Sequence, residues 1–193
     1  EKQPRRFFTL ANASSLAQGL CGQTYAKEPW KCLFPALRLP FVRTPYFLAH
    51  SQYDVFGITM NIFGRFMPGR FLPPPEKQYA EHYRKEVLQY LPKQGSSSGV
   101  TVFSPACYVH CVCTEGVFKT IDSDGVLLPD ALQRWLTAES AESATQNLRD
   151  SCEGFNCGLG RQHHVAGRHM PPTTTTTWLP KRPLLEEVAG LLV

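Results

Sequence analysis

The sequence has few charged residues and no long apolar run. Asp, Glu, Lys and Arg make up 19% of the 193 residues, against 42% hydrophobic residues, so the chain can bury a core and is not disordered throughout. No apolar stretch approaches the roughly 20 residues that cross a bilayer. The net charge of +4 is small and the basic residues are scattered, whereas a nucleic-acid surface needs them clustered on one face. We therefore expect no membrane span and no nucleic-acid partner.

The sequence also lacks an initiating Met and a recognisable export signal. It opens at Glu1 without the basic and apolar segments that make up a signal peptide. We therefore expect a processed protein or a piece of a longer one, with any export signal outside this sequence. One glycosylation triplet, Asn12-Ala13-Ser14, agrees with secretion.

Cysteines occur in an odd number. The seven cysteines form three clusters, at positions 21 and 32, at 107, 111 and 113, and at 152 and 157. At least one thiol is thus free or paired outside the chain, and the clusters favour disulfides in an oxidising, extracellular compartment. Cys152 and Cys157 with His163 and His169 form an alternative zinc site, although the loop is shorter than in zinc fingers. We predict no metal and no cofactor.

Two apolar segments predict strands, with a helix between them. Residues 41–50 are apolar and aromatic after a proline, and residues 100–103 are largely β-branched or aromatic. Residues 76–91 carry apolar side chains on one helical face and are followed by Pro92. Residues 128–136 predict a further short helix. Residues 1–40 read as loop with at most one short helix, and residues 55–74 as a long ordered loop.

Asp54 and His110 each follow one of the predicted strands. In open α/β sheets the functional groups lie beyond the carboxyl ends of the strands, so a parallel strand–helix–strand unit would bring these two side chains to one edge. An Asp and a His in this order match the last two members of a Ser-Asp-His hydrolase triad. The structural alternative is an Asp that caps a turn and a His bonded to a backbone carbonyl.

Four stretches resemble, in the same order, the pectin acetylesterase and Notum family of α/β-hydrolases. They are residues 32–35, 44–54, 104–111 and 128–135. The pattern Cys107-x-x-His110-Cys111 resembles the plant acetylesterase form, and residues 128–135 are more similar to the animal Notum form. The resemblance runs over roughly residues 20–138, with a fainter similarity at Cys152 and Cys157.

The resemblance implies an α/β fold, the C-terminal portion of an α/β-hydrolase with parallel strands and a crossover helix. The predicted domains are residues 1–138, which are hydrolase-like, and 139–193, a Cys/His-containing, Thr-rich and partly disordered tail. By the same resemblance Asp54 is the catalytic acid of the triad and His110 is its general base. The paired cysteines of the family map onto positions 21, 32, 107 and 111, with the connectivity left open, and Cys113 is expected to be the unpaired thiol.

The nucleophile of the family has no counterpart in the chain. Gly95-Ser96-Ser97-Ser98-Gly99 fits the Gly-x-Ser-x-Gly pattern, but a nucleophile elbow needs a strand before it and a helix after it. This segment has the reverse order, and Ser97 falls between Asp54 and His110. We interpret it as a linker and expect the serine to lie in a missing N-terminal half. Without that serine no acyl-enzyme forms, so the chain alone is expected to be inactive.

The sequence leaves three functions open. The first is a serine carboxylesterase that deacetylates a pectin-like polysaccharide or removes a lipid acyl group from a secreted protein. The second is a non-catalytic secreted binding protein on a hydrolase scaffold, since the serine is missing. The third is a zinc or nucleic-acid module formed by the Cys/His tail. Phe56, Phe63, Phe66 and Phe71 are expected either to pack in the core or to line an apolar wall.

Overall fold

The computed structural model describes residues 2–60, 62, 64, 72–93 and 99–154. Residues 95–98 of the Gly/Ser linker, Phe63, Phe66, Phe71 and everything after residue 154 lie outside the described residues. The predictions of a disordered tail and of a zinc site at Cys157, His163 and His169 therefore fall outside them as well.

A three-stranded parallel sheet forms the centre of the described structure. Its strands are β1 (Tyr46–Ala49), β2 (Val100–Ser104) and β5 (Asn147–Arg149), in the spatial order β1-β2-β5. Tyr46 is paired with Val100 and Val102 with Asn147. β2 is buried along its whole length, as expected for a central parallel strand covered on both faces. The two predicted strands are confirmed, although β1 is shorter than residues 41–50.

The crossover helix α4 (Pro74–Tyr90) connects β1 to β2. It begins two residues before the predicted Glu76, because prolines suit the first helical turn and Glu76 remains there to offset the helix dipole. It ends before Leu91, which is extended and precedes Pro92. Val87 and Leu88 of this helix pack against Val100 and Val102 on one face of the sheet.

Short helices replace the loop predicted for residues 1–40. They are α1 (Lys2–Leu10), α2 (Gly19–Thr24) and α3 (Pro35–Arg38), with 3₁₀ segments at Ala13–Ala17, Pro29–Leu33 and Leu39–Phe41. Helices α2 and α3 have only six and four residues, which leaves too little periodicity to detect in the sequence. Proline favours the first turn of α3, and the nine-residue α1 is the one short helix that the prediction allows for. A disulfide between Cys21 and Cys32 joins α2 to the segment around the buried Trp30.

The chain after β2 covers the second face of the sheet. It comprises helix α5 (Glu115–Phe118), the hairpin β3 (Asp122–Ser123) and β4 (Val126–Leu127), helix α6 (Leu128–Leu136) and helix α7 (Ala141–Ala144). Leu128 and Ala131 of α6 pack in one core cluster with Phe103. Helix α6 has the predicted bounds.

The sheet continues past residue 138, where the hydrolase-like part was predicted to end, because β5 pairs with β2. The division at residue 138 stays a prediction. A short π-helical turn, Phe56–Met60, occupies the start of the predicted loop 55–74. Among the described helices none is long and apolar enough to cross a membrane.

Candidate active site

The structure brings Asp54 and His110 into contact. His110 Nδ1 lies 2.8 Å from Asp54 Oδ2. Each residue follows the carboxyl end of a strand, Asp54 after β1 and His110 after β2, and these two strands are parallel neighbours. The two residues singled out in the sequence therefore meet at one edge of the sheet, as the strand–helix–strand order predicts.

Asp54 is held by the turn that it begins. Its Oδ1 accepts a hydrogen bond of 2.8 Å from the backbone N–H of Gly57, and its backbone carbonyl accepts one of 2.9 Å from the N–H of Ile58. The residue is buried. Both carboxylate oxygens thus have partners, Oδ1 in the turn and Oδ2 at the imidazole. Asp54 therefore caps a turn, as the structural alternative expects, and it also contacts His110.

Two buried tyrosines, Tyr83 of α4 and Tyr108, lie near the Asp54 carboxylate. Burial is the main cause that raises the pKa of both phenols above the usual value, and the negative charge of Asp54 adds to the rise. A hydrogen bond with Thr59 acts in the opposite direction on the pKa of Tyr108. Both hydroxyls are neutral near pH 7, so neither adds a negative charge to that of the Asp54 carboxylate.

His110 is more open than its partner, with a side chain 50% exposed against 11% for Asp54. The ring of Phe56 stacks on the imidazole, with centroids 5.0 Å apart and planes inclined by 26°. When Nδ1–H donates to the carboxylate, the lone pair of the neutral ring resides on Nε2. That atom is then able to accept a proton from a hydroxyl group brought to this edge.

The loops that carry the pair are tied to each other by hydrogen bonds beyond the strands. The N–H of His50 donates to the carbonyl of Phe103 at 3.0 Å, and that of Gln52 to the carbonyl of Pro105 at 2.9 Å. The hydroxyl of Ser51 donates to the carbonyl of Cys107. The parallel pairing of β1 and β2 is thereby extended along the segments that lead to Asp54 and His110.

The cysteines follow the predicted pattern in part. Cys21 and Cys32, which the resemblance assigns to the paired cysteines without saying which pair with which, form a disulfide with each other. Cys152 is also disulfide-bonded. Cys113 is a free, exposed thiol, which confirms the prediction for it, but Cys111 is free and exposed too. The prediction that Cys111 is paired is wrong for this structure.

No metal-binding cluster of three or more His, Cys, Asp or Glu side chains occurs within the described ranges. Cys152, which the zinc alternative requires, has its sulfur in a disulfide. A disulfide sulfur is not the thiolate that zinc binds.

Sequence reasoning missed two contributions to the site. Phe56 was considered only for the core or an apolar wall, whereas its half-exposed ring covers one side of His110. Gly57 was not singled out, although its N–H holds Asp54 Oδ1. Their positions, two and three residues after the Asp, were the only available signal.

A parallel sheet with helices on both faces, an Asp after one strand and a His after the next is the arrangement of an α/β-hydrolase. A family model described as pectinacetylesterase matches residues 4–154. The chain therefore belongs to the pectinacetylesterase family, which is a family of carboxylesterases.

Animal relatives are similar over most of the chain. The palmitoleoyl-protein carboxylesterase notum1 of Xenopus laevis is 28% identical over 170 residues, which cover 81% of this chain and 33% of the relative. The palmitoleoyl-protein carboxylesterase NOTUM of Drosophila melanogaster is 27% identical over 124 residues, which cover 62% of this chain and 17% of the relative. The chain thus spans about a third of the length of the Xenopus relative.

Proposed function

We propose that this chain supplies the Asp and the His of a Ser-His-Asp triad for the hydrolysis of carboxylic esters. The observation that carries the proposal is the 2.8 Å contact between Asp54 Oδ2 and His110 Nδ1 at the carboxyl edge of the sheet. In this role Asp54 keeps the imidazole in the tautomer with its lone pair on Nε2 and stabilises the imidazolium that forms.

The serine is contributed from outside these 193 residues. His110 Nε2 takes the serine proton as the oxygen attacks the acyl carbon, and then returns it to the departing alcohol. Water repeats the sequence on the acyl-enzyme and releases the acid. Because Asp54 and His110 act on a serine that the chain does not carry, the chain alone has no esterase activity.

Two substrate classes fit the proposal. The family name points to acetyl esters on a pectin-like polysaccharide, and the names of the animal relatives point to a lipid acyl ester on a protein. Disulfides at Cys21 and Cys32 and at Cys152 support an extracellular location.

A serine-directed fluorophosphonate probe tests the proposal on the native source. The intact mass of the labelled protein that contains residues 100–138 is the readout. We expect a labelled species well above the 21.7 kDa of this chain. An unlabelled species of that mass would contradict the esterase and support a non-catalytic binding protein on the same scaffold.

Substitutions in the labelled protein then test the two residues. His110→Ala is expected to abolish turnover of a short-chain ester, and Asp54→Asn to lower kcat about 10⁴-fold because the imidazole adopts the wrong tautomer. His82→Ala is the matched control, since His82 is an exposed histidine on α4 that faces Glu86. Near-normal kcat for His110→Ala would remove His110 from the triad.

A further inference from the structure

The side chain of Gln52 connects the ends of all three strands of the sheet. Its Nε2 donates to the carbonyl of Ser104, at the end of β2, and to the carbonyl of Asp150, directly after β5; both bonds are 2.9 Å long. Gln52 itself follows β1 and has no exposed surface. The buried Gln52 amide thus donates both of its N–H groups to the ends of the two neighbouring strands.

Arg84 of the crossover helix completes the arrangement. Its Nε donates to Gln52 Oε1 at 2.8 Å, and its Nη2 donates to the carbonyl of Cys152 at 3.1 Å. The first bond fixes which end of the Gln52 amide is the acceptor, so the N–H donors must point toward the two carbonyls. The second bond fastens the chain after β5 to the same helix.

The geometry points to Gln52 as a positioning residue, whose bonds to the ends of β2 and β5 set the separation of Asp54 and His110. Gln52 lies two residues before Asp54, and Ser104 begins the segment that leads to His110. A shift between these two segments changes the distance from Oδ2 to Nδ1 directly. The inference rests on the proposed function for its relevance to catalysis. The Gln52 hydrogen bonds and the Asp54–His110 contact from which it is argued are present in this chain.

Nuclear magnetic resonance of the ¹⁵N-histidine-labelled chain tests the inference without any enzymatic activity. The readout is the fraction of His110 in the Nδ1–H tautomer, taken from the two ring ¹⁵N shifts, together with the low-field Nδ1–H proton. Gln52→Met removes all three side-chain bonds at similar volume. Gln146→Met is the matched control, since Gln146 Nε2 also donates to a backbone carbonyl, that of Ala131, away from the site.

We expect Gln52→Met to lower the ratio of the Nδ1–H to the Nε2–H tautomer of His110 about fivefold, the factor by which the loss of one ordinary hydrogen bond changes an equilibrium constant, and Gln146→Met to leave this ratio unchanged. An unchanged tautomer in folded Gln52→Met would overturn the inference. Where Gln52→Met does not fold, Arg84→Met decides, because methionine has no N–H to donate to Gln52 Oε1 or to the Cys152 carbonyl. A smaller ratio of the Nδ1–H to the Nε2–H tautomer in Arg84→Met supports the inference, and an unchanged ratio overturns it.

Asp54→Asn separates this inference from the proposed function. If Asp54→Asn leaves the tautomer of His110 as in the unmodified chain, the Asp54–His110 pair itself is absent and the proposed function fails. If Asp54→Asn changes the tautomer and Gln52→Met does not, only the positioning role of Gln52 fails.

Discussion

The two carboxylate oxygens of Asp54 have different partners, and this division explains why Asn is the informative replacement. Asn keeps an oxygen that accepts the Gly57 N–H, so the turn after β1 is expected to persist. Its amide nitrogen would face His110 Nδ1 with a donor and favour the other imidazole tautomer. Ala would remove both contacts and would not separate the turn from the pair.

Gly57 is required by the close approach of Tyr83. A Cβ on Gly57 would lie 2.4 Å from the Tyr83 hydroxyl oxygen and 2.7 Å from the ring carbon that bears it. Gly57→Ala must therefore move the turn or the ring, and we expect a loss of roughly 1–3 kcal/mol in the free energy of unfolding. Urea denaturation measures it. The Nδ1–H signal of His110 is expected to weaken, because a movement of the turn displaces the backbone N–H of residue 57 that holds Asp54 Oδ1.

Gly116→Ala is the control for this substitution. A Cβ on Gly116 of helix α5 meets nothing within 4 Å, and Ala is the better helix former. We expect unchanged or slightly higher stability. Equal losses for both variants would show that the contact with Tyr83 does not determine the effect.

The contacts of some single residues could be predicted from the sequence, and those of others could not. The contact between Asp54 and His110 could be foreseen, because each follows an apolar strand and parallel strands end at a common edge. The role of Gly57 could not, since it depends on a ring 26 positions further along the chain coming within contact of the turn. The bonds of Arg84 depend likewise on the register of α4 against the sheet.

At the scale of elements, the segments with a strong pattern were predicted well. Residues 128–136 have an apolar stripe at helical spacing, and α6 has those bounds. β5 was missed because its three residues, Asn147, Leu148 and Arg149, show neither alternation nor β-branched side chains. Its pairing comes from β2, whose edge it covers. The tertiary partner, and not local propensity, makes it a strand.

The Cys21–Cys32 disulfide stabilises the short helices of the N-terminal part. Its two cysteines are 11 positions apart in the sequence. Removing the cross-link increases the conformational entropy of the unfolded chain, which favours unfolding. We expect the double variant Cys21→Ala and Cys32→Ala to lose about 2–3 kcal/mol in the free energy of unfolding. Urea denaturation of the oxidised and the substituted chain measures the difference.

Cys113→Ala is the control for the disulfide variant, because Cys113 is an exposed free thiol. Its stability is expected to stay within about 0.5 kcal/mol of the starting protein. The tautomer of His110 should be the same in both variants, since no bond of the Asp54–His110 pair comes from residues 21–32. A changed His110 tautomer in the disulfide variant alone would show that the Asp54–His110 pair does depend on the disulfide.

For the whole molecule, buried phenols make folding sensitive to alkali. The pKa values of Tyr53, Tyr83 and Tyr108 are raised in the folded state, mainly by burial. An unfolded tyrosine ionises near pH 10, so the stability contribution is complete below about pH 10 and is lost as pH rises toward the folded pKa values. Each tyrosine adds up to about 1.4 kcal/mol per pH unit in that interval.

Ultraviolet absorbance at 295 nm and circular dichroism, followed together above pH 10, check this expectation. Ionisation of the buried phenols should coincide with one cooperative loss of structure. Tyr108→Phe should reduce the pH dependence of the unfolding free energy by the contribution of one proton. Ionisation of all tyrosines near pH 10 with intact circular dichroism would contradict the expected linkage.

The described hydrogen bonds that hold Asp54 against His110 all come from this chain, from the Gly57 amide to the Gln52 amide. Within the described residues, the orientation of the imidazole therefore needs no contribution from the serine that the proposed function places outside these 193 residues. In a single polypeptide that carries both parts, the serine would meet a proton acceptor whose direction is already set, and the reaction rate would be first order in that one enzyme.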